Sequence, residues 1–449
     1  MDFPTRPHRE EPSKPADDNR AFAEFLARHG SEWVRVCFPD ANGIARGKIV
    51  PAAKMAKSGA AGLAVPRSVL VQDAEGENSP VEGFDFASGD ADFLGIPDLS
   101  TLSHCPWKPG TSQVLLDARD PSTGAPLGES CRTVLARAVD RLAAHGLTAM
   151  VASELEFYLF QPGYKPVSHG KPAYSLMAKA RLAAVIDQLM EGTAAVGLEP
   201  EGCLHEYAPG QLEINFSPAD PLAMADRTFL FRQMVKEVAL LHGLEATFMA
   251  KPLADQSGSG YHVHASLWRG ADNAFVDPAT GGPSAMLHQF VRGNVEHAPD
   301  LMALFAPNVN SYRRHVLGEY VPNTASWGGD DRTVALRIPA ATGKATRVEH
   351  RVAGADANPH ALLAAILLAG LDGIERDVAP LDPATRGQTG TPFPNSLPDA
   401  LARLSASAFA REALGDGFLK VFLAVKGQEW RKFQETIGEW ELRVFGSAL

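Results

Sequence analysis

Acids, imidazoles and guanidinium groups recur with a two-residue period in five stretches of this sequence. In Val151–Phe160, Glu154 and Glu156 alternate with Val151, Leu155, Phe157 and Leu159. In Gln211–Ser217, Gln211, Glu213 and Asn215 oppose Leu212, Ile214 and Phe216. In Gly260–Trp268, His262, His264 and Ser266 oppose Val263, Ala265 and Leu267. Arg337 opposes Val334, Leu336 and Ile338 in Thr333–Ile338, while Arg347, Glu349 and Arg351 share a face in Thr346–Arg351. Successive side chains of a strand point to opposite faces, so each stretch reads as a strand with one apolar and one polar side.

A solvated face explains any one such strand equally well. Five strands bearing carboxylates, histidines and arginines rather than lysines suggest faces that converge on a charged cavity. Carboxylates with a histidine suit hard divalent cations such as Mg²⁺ or Mn²⁺. Arginines grip carboxylate and phosphate bidentately. Metal, arginine and acid together are the equipment of phosphoryl transfer. Blander readings stand beside this one. His262 and His264 could be a zinc pair, although no Cys or third His lies nearby. Ser257-Gly-Ser-Gly260 could cradle phosphate or merely turn. His205 beside Glu206 could be core, and Tyr261, Trp268, Trp327, His315 and His350 read as structural.

These strands need a scaffold. The spacing predicts helices over Asn19–His29, Thr133–His145 and Pro221–His242, each stopped by a glycine, and one opened by Asn358 as cap with Pro359 in its first turn. Leu397–Trp440 also reads as helices. Trp33–Phe38 reads as a strand, and Gly59–Pro109 as loop-rich. The expected organisation is a polar extension over 1–18, a small α+β domain over 19–115 and a large domain over 116–449. A chain of 449 residues with 45 % apolar content can bury a substantial core. Its net charge of −11 argues against a nucleic-acid partner. Four scattered cysteines without a C-x-x-C pair fit a reducing compartment. The first 20 residues lack the apolar core of a signal peptide, and the longest apolar run, Ala361–Leu371, is too short to span a bilayer. A cytoplasmic protein with no membrane association is the expectation.

Ser153-Glu-Leu-Glu-Phe157, Pro209-Gly-Gln-Leu-Glu213, Lys251-Pro252, Gly258-Ser-Gly-Tyr-His-Val-His264, Asn310-Ser-Tyr-Arg-Arg314, Asp331-Arg332, Arg337-Ile-Pro339, Arg347-Val-Glu-His-Arg351 and Asn358-Pro359 occur in that order. In this order the chain, from about residue 30 to its end, resembles glutamine synthetase and its γ-glutamyl-amine ligase relatives. The resemblance implies an α+β fold: a small N-terminal β-grasp domain, then a large α/β catalytic domain with a funnel lined by antiparallel strands. It implies a homo-oligomer, commonly a dodecamer, in which a neighbour contributes to each site. It implies two or three Mg²⁺ or Mn²⁺ ions per site and ATP as co-substrate. On this resemblance Glu156, Glu206 and Glu213 match ligands of the metal nearer glutamate, and Glu154, His262 and Glu349 ligands of the metal bridging the ATP phosphates. Gly258, Arg314 and Arg351 match contacts to glutamate. Arg332 and Arg337 match the phosphate-side arginines. Glu201, His264, Ser266, Lys344 and Arg347 match nucleotide contacts. The implied reaction forms γ-glutamyl phosphate, which an amine then attacks.

Two departures concern the amine. Where glutamine synthetases carry a glutamate two residues before a proline, this sequence has Tyr320 before Pro322. The ammonium-binding Asp-Gly-Ser-Ser loop of those enzymes is absent from Ser68–Glu77. Val321–Arg332 looks more like the γ-glutamylpolyamine and γ-glutamyl-monoamine ligases. Putrescine or a related polyamine is therefore the expected acceptor, with Asp73, Glu75 and Glu77 as candidates for a distal ammonium and Tyr320 as a catalytic-site residue. Ammonium as acceptor, in a true glutamine synthetase, is the alternative. A relative that has lost its chemistry is a third reading, opposed by the presence of all six metal-ligand matches.

Overall fold

The structure, a computed structural model, describes residues 15–84, 88–317, 320–384 and 390–446. Most of the expected N-terminal extension, residues 1–14, lies outside the described residues. The first helix, α1, spans Pro15–Arg28 and so begins four residues before the expected Asn19. It buries Phe22 and Leu26. Strands β1 (Trp33–Pro39), β2 (Ala45–Pro51), β3 (Leu63–Pro66), β4 (Asp92–His104) and β5 (Thr111–Arg119), with the short helix α2 (Ala52–Ser58), complete the first unit. The strand order is β2-β1-β5-β4-β3, with β1 and β5 parallel at the centre and the other neighbours antiparallel, which is a β-grasp arrangement. The loop-rich expectation for 59–109 overlooked the 13-residue β4. Gly95, Pro97 and the irregularity between Asp98 and Ser103 interrupt its alternation. Strand β5 continues to Arg119, four residues past the expected boundary at 115.

The second unit continues with α3 (Cys131–Ala144), β6 (Thr148–Gln161), β7 (Lys165–Pro166), α4 (Leu176–Ala180), α5 (Ala183–Ala195), β8 (Pro200–His205), β9 (Gln211–Phe216), α6 (Pro221–Leu241), β10 (Glu245–Thr247), β11 (Tyr261–Arg269), β12 (Asp272–Asn273), α7 (Ala285–Phe305) and α8 (Ser311–Leu317). Then follow β13 (Thr324–Ala325), β14 (Trp327–Gly328), β15 (Leu336–Arg337), β16 (Val348–His350), α9 (Pro359–Glu375), β17 (Thr391–Pro392) and helices α10 (Leu397–Ala406), α11 (Ala408–Leu414), α12 (Asp416–Glu435) and α13 (Glu439–Phe445). The large sheet runs β14-β15-β16-β11-β6-β9-β8 and is almost wholly antiparallel. The stretches read as strands over 333–338 and 346–351 shrink to β15 and β16. Among the described residues no helix is long and apolar enough to cross a membrane.

Alternation sets which face of this sheet is buried. Phe157 of β6 and Phe216 of β9 meet Phe231 of α6 with ring centroids 6.1 and 5.1 Å apart. The helix is placed by local chemistry: the Asp220 carboxylate accepts from the Leu222 and Ala223 amides, and Pro221 fills the first turn. Asn358 does the same for α9, accepting from His360 and Ala361. A buried ion pair then ties the two units together. Arg132 of α3 grips Asp226 of α6 bidentately at 2.8 Å and also reaches Asp98 of β4 and Asp117 of β5. His360 Nε2 donates to Asp226 at 2.8 Å.

Helix α7 was not evident from the sequence; it packs on α9 through glycines. A β-carbon on Gly373 would lie 2.1 Å from the Gln289 carbonyl oxygen, and one on Gly293 would lie 2.1 Å from that of Ala369. Alanine gains about 1 kcal/mol over glycine as a helix former. Overpacking against backbone costs about 1–3 kcal/mol and should win. Gly373→Ala is therefore expected to lower the free energy of unfolding, measured by denaturant titration; an unchanged or raised midpoint would mean the helices do not cross at backbone contact.

Candidate functional site

The other face of the large sheet collects the polar residues. Register places Glu156 directly opposite Glu213, Glu154 opposite His262, His264 opposite Glu349 and Arg337 opposite Glu349. Directly opposed side chains of an antiparallel pair share a face and nearly touch. Four of the five predicted polar stretches thus meet through β6, β9, β11 and β16, and the fifth joins through β15.

Electrostatically the face has two halves. In the first, positive charge and imidazoles balance the acids. Arg337 donates to Glu349 at 2.7 Å and to Asp330 at 2.9 Å, and Arg351 is also paired with Glu349. His264 Nε2 lies 2.8 Å from Glu154, and His262 Nδ1 lies 3.5 Å from Glu154 and 3.9 Å from Glu349. Burial alone would raise both acids. The histidines and hydrogen bonds nevertheless hold Glu154 below the carboxylate range, and His262, Arg351, His264 and Arg337 do so for Glu349. Burial, then Arg351, lowers His262.

The second half has an excess of acid. Burial, then the charges of Glu156, Glu154 and Glu206, pushes Glu213 up to about 9. Burial and the charge of Glu206 push Glu156 up to about 7, against the opposing pull of the Gly260 amide, Arg314 and Arg351. Burial, then the charge of Glu154, also raises Glu206, against the bond from the Tyr207 amide. Three carboxylates in this position ionise together only if a cation joins them. The donor set is all oxygen, which fits Mg²⁺ or Mn²⁺.

In the first half, Glu154, His264 and Glu349 each offer a ligand atom within 4.8 Å of the others. The resemblance instead assigned His262, not His264, to this metal. The hydrogen bonds favour that assignment: Arg347 Nε donates to His264 Nδ1 at 3.1 Å, so the ring proton sits on Nε2, where it faces Glu154. His264 is thus a donor to the ligand Glu154, and the His262 Nδ1 atom faces both carboxylates.

The other predicted residues divide. Arg314 on α8 is buried, donates to the Val352 carbonyl at 2.8 Å and is lowered by burial to about 10. It packs against Gly258, where a β-carbon would lie 2.8 Å from Arg314 Cγ. Ser266 is buried and accepts from the Trp268 indole at 2.9 Å. Glu201 and Lys344 are exposed, Glu201 accepting from Ser217 Oγ at 3.3 Å and the Lys344 carbonyl from Asn273 at 3.1 Å. Arg332 and Tyr320 are exposed, and among the described residues no hydrogen bond ties either to the acid face. The acids Asp73, Glu75 and Glu77 already clasp an ammonium of the chain itself: Lys432 Nζ lies 2.6, 2.8 and 2.9 Å from them. They do not form an open amine site.

Two residues were missed. Gln211 Nε2 donates both to Glu156 at 2.9 Å and to the Gly258 carbonyl at 3.0 Å, joining an acid to the glycine loop. Its place on the polar side of β9 was legible, but its role was not. Tyr174 has φ of +57°, uncommon outside glycine. Its amide donates to the His205 carbonyl at 2.8 Å, and its hydroxyl is raised by burial, then by the charges of Glu206 and Glu213. No spacing pattern marks a lone tyrosine in a loop.

The sequence model of the family described as glutamine synthetase, catalytic domain, matches residues 128–445. The γ-glutamylputrescine synthetase PuuA of Escherichia coli is 35% identical over 439 residues, covering 93% of this chain and 92% of that protein. A glutamate–isopropylamine ligase of a Pseudomonas species is 33% identical over 442 residues, covering 93% and 96%. The glutamine synthetase of Thermus thermophilus is 35% identical over 406 residues, covering 84% and 91%. Solved structures of a GmaS–ADP complex and of apo GmaS superpose with TM-scores of 0.84 at 33% identity, covering 94% and 95% of this chain and 99% of theirs.

Glu349→Ala should keep the native circular dichroism spectrum yet lower kcat on the order of a thousandfold, about 4 kcal/mol of transition-state charge stabilisation. Near-normal turnover would remove Glu349 from the cation site. The pH response is a second test. In the metal-free fold Glu156 and Glu213 keep protons up to about 7 and about 9, against an ordinary value of 4.5. The folded state binds more protons than the unfolded state across that window, so its stability falls as pH rises through it. Mg²⁺ displaces those protons. The rise in Tm on adding Mg²⁺ should therefore grow from about pH 6 to about pH 9, and a pH-independent rise would contradict a cation at Glu156 and Glu213.

Proposed function

Because this chain belongs to the glutamine synthetase family, we propose that it joins the γ-carboxylate of glutamate to an alkyl amine, with putrescine or another polyamine as first choice. The family uses ATP and divalent metal ions, and the chain is an ATP-dependent ligase. The observation that carries the choice of amine is Tyr320, an uncharged and exposed residue where an ammonium-using enzyme carries a glutamate. The γ-glutamylputrescine synthetase and glutamate–isopropylamine ligase among the relatives support it. Identity alone does not decide, since the Thermus thermophilus glutamine synthetase is also 35% identical. Ammonium is therefore the second reading.

The proposed chemistry follows from the two halves of the face. Arg314 and Arg351 orient glutamate, with Gly258 and Gln211 shaping the loop beside it. The γ-carboxylate oxygen attacks the terminal phosphorus of ATP, ADP leaves, and γ-glutamyl phosphate forms. Arg337 and Arg332 face the transferring group, with Glu201, His264, Ser266, Lys344 and Arg347 on the nucleotide side. Divalent cations held by Glu154, His262 and Glu349, and by Glu156, Glu206 and Glu213, would offset the phosphate charge. The amine nitrogen then attacks the acyl carbon and phosphate leaves. A free alkyl amine is protonated at neutral pH and must lose a proton to react. Tyr174, within the field of Glu206 and Glu213, lines the approach on this reading. The same reading makes the enzyme a homo-oligomer, a dodecamer by resemblance. The exposed Trp440, Leu442 and Phe445 of α13 support association.

The test is phosphate release from ATP, Mg²⁺ and glutamate with ammonium, putrescine, spermidine, ethanolamine and short monoamines. A preference of about tenfold or more in kcat/KM for one organic amine, roughly 1.4 kcal/mol, is expected; a preference for ammonium would select the second reading. Tyr320→Glu should shift the profile towards ammonium, and an unchanged profile would remove Tyr320 from amine selection.

A further inference from the structure

A cavity of about 490 Å³ lies between the segment 167–182, the start of α5 and the end of α6. Its size is that of a metabolite site. None of the residues lining it is acidic, although the chain carries 53 Asp and Glu. The polar lining is cationic or neutral: Arg181, His169, His205 and His242. The side chains of Arg181 and His169 have no hydrogen-bond or ion-pair partner among the described residues. Ser168, also on the wall, has a buried hydroxyl without a partner. The rest is largely apolar, with Leu182, Val185 and Leu244. An unpaired guanidinium, an unused hydroxyl and an acid-free apolar floor are complementary to a small organic anion with a hydrocarbon body.

The cavity adjoins the acid face at His205. His205 ends β8 with its side chain in the cavity wall, and its Nδ1 donates to the Glu206 carbonyl at 2.8 Å. The His205 carbonyl accepts the Tyr174 amide at 2.8 Å. Pro172, Ser175 and Ala178 of the same segment line the cavity around Tyr174. A ligand held between Arg181 and His205 therefore bears on the two residues that flank the acid-rich half. We propose that this cavity is a second binding site, for a small organic carboxylate or phosphate, whose occupancy is transmitted through His205 to Glu206 and Tyr174. This inference does not rest on which amine is used.

The test uses the whole enzyme with glutamate, Mg²⁺, ATP and an amine it accepts, all saturating, so that the glutamate grips are filled and phosphate is released. Adipate and hexyl phosphate, two headgroups on similar chains, are titrated by ligand-observed nuclear magnetic resonance, and phosphate release is followed in parallel. The expected result is saturable binding of at least one probe, weakened about tenfold or more in Arg181→Ala by loss of a charge-assisted bond. The turnover rate should change with the same saturation. Ala178→Trp, which fills the cavity, should abolish both effects; Arg181→Ala, at an exposed position, guards against a folding defect. Which headgroup binds separates carboxylate from phosphate. Titrations that never saturate in the wild type, or that saturate equally in both variants, would overturn the site. Saturable binding that leaves turnover unchanged would overturn the transmission.

Discussion

Two glutamates, Glu156 and Glu213, face each other across neighbouring strands, and burial does not let both be charged. Glu206 adds a third acid to the same place. Like charges opposed on a sheet are destabilising, and desolvation multiplies the effect. An ordinary core would not tolerate this arrangement. It persists because the opposite face of the same strands is anchored by Leu155, Phe157, Leu212 and Ile214, all buried. The strand period makes the two faces inseparable: a one-residue slip of β9 would bury Glu213 in the aromatic core and expose Leu212 to the cavity. Apolar burial therefore holds the acids in a position their own charges oppose, and a cation resolves the conflict.

The same logic runs through the scaffold, with the opposite outcome. Asp226 is buried, yet it is held well below the carboxylate range, because burial is outweighed by Arg132 and by His360. That cluster is complete within the chain. Removing a partner from such a pair leaves an uncompensated charge, which costs more than the pair contributes. Lys432 among Asp73, Glu75 and Glu77 is likewise complete. In these two clusters the counter-charge comes from the chain itself, whereas at Glu156, Glu206 and Glu213 it does not. This distinction separates Asp73 from Glu213, which sequence spacing alone does not.

What was legible in the sequence follows from what is periodic. The polar sides of β6, β9 and β11 were readable because their alternation is long, as was α9 because Asn358 and Pro359 are local signals. Of the six metal-ligand matches, Glu154, Glu156, Glu213, His262 and Glu349 lie on this face of the sheet, and Glu206 follows the end of β8. β4 was hidden by Gly95 and Pro97, and α7 by Pro299 within it. The Lys432 clasp on Glu75 joins residues 357 positions apart, so no local pattern carries it. Tyr174 depends on a left-handed backbone and a bond to a distant strand.

The two halves also match the two steps of the proposed reaction. Phosphoryl transfer needs positive charge around developing negative charge, and Arg337, Arg351 and the histidines gather in the half with Glu154 and Glu349. Attack by an amine on an acyl phosphate instead needs a neutral nucleophile, and negative charge nearby attracts the protonated amine while accepting its proton. Tyr174 lies within the field of the acid-excess half. One sheet thus offers opposite fields within a few residues of each other, because successive odd and even positions on β6, β9 and β11 separate fold from chemistry. On the proposed reading, a change of amine leaves this sheet as it is. The choice of amine falls instead to the loop that carries Tyr320, where glutamine synthetases have a glutamate.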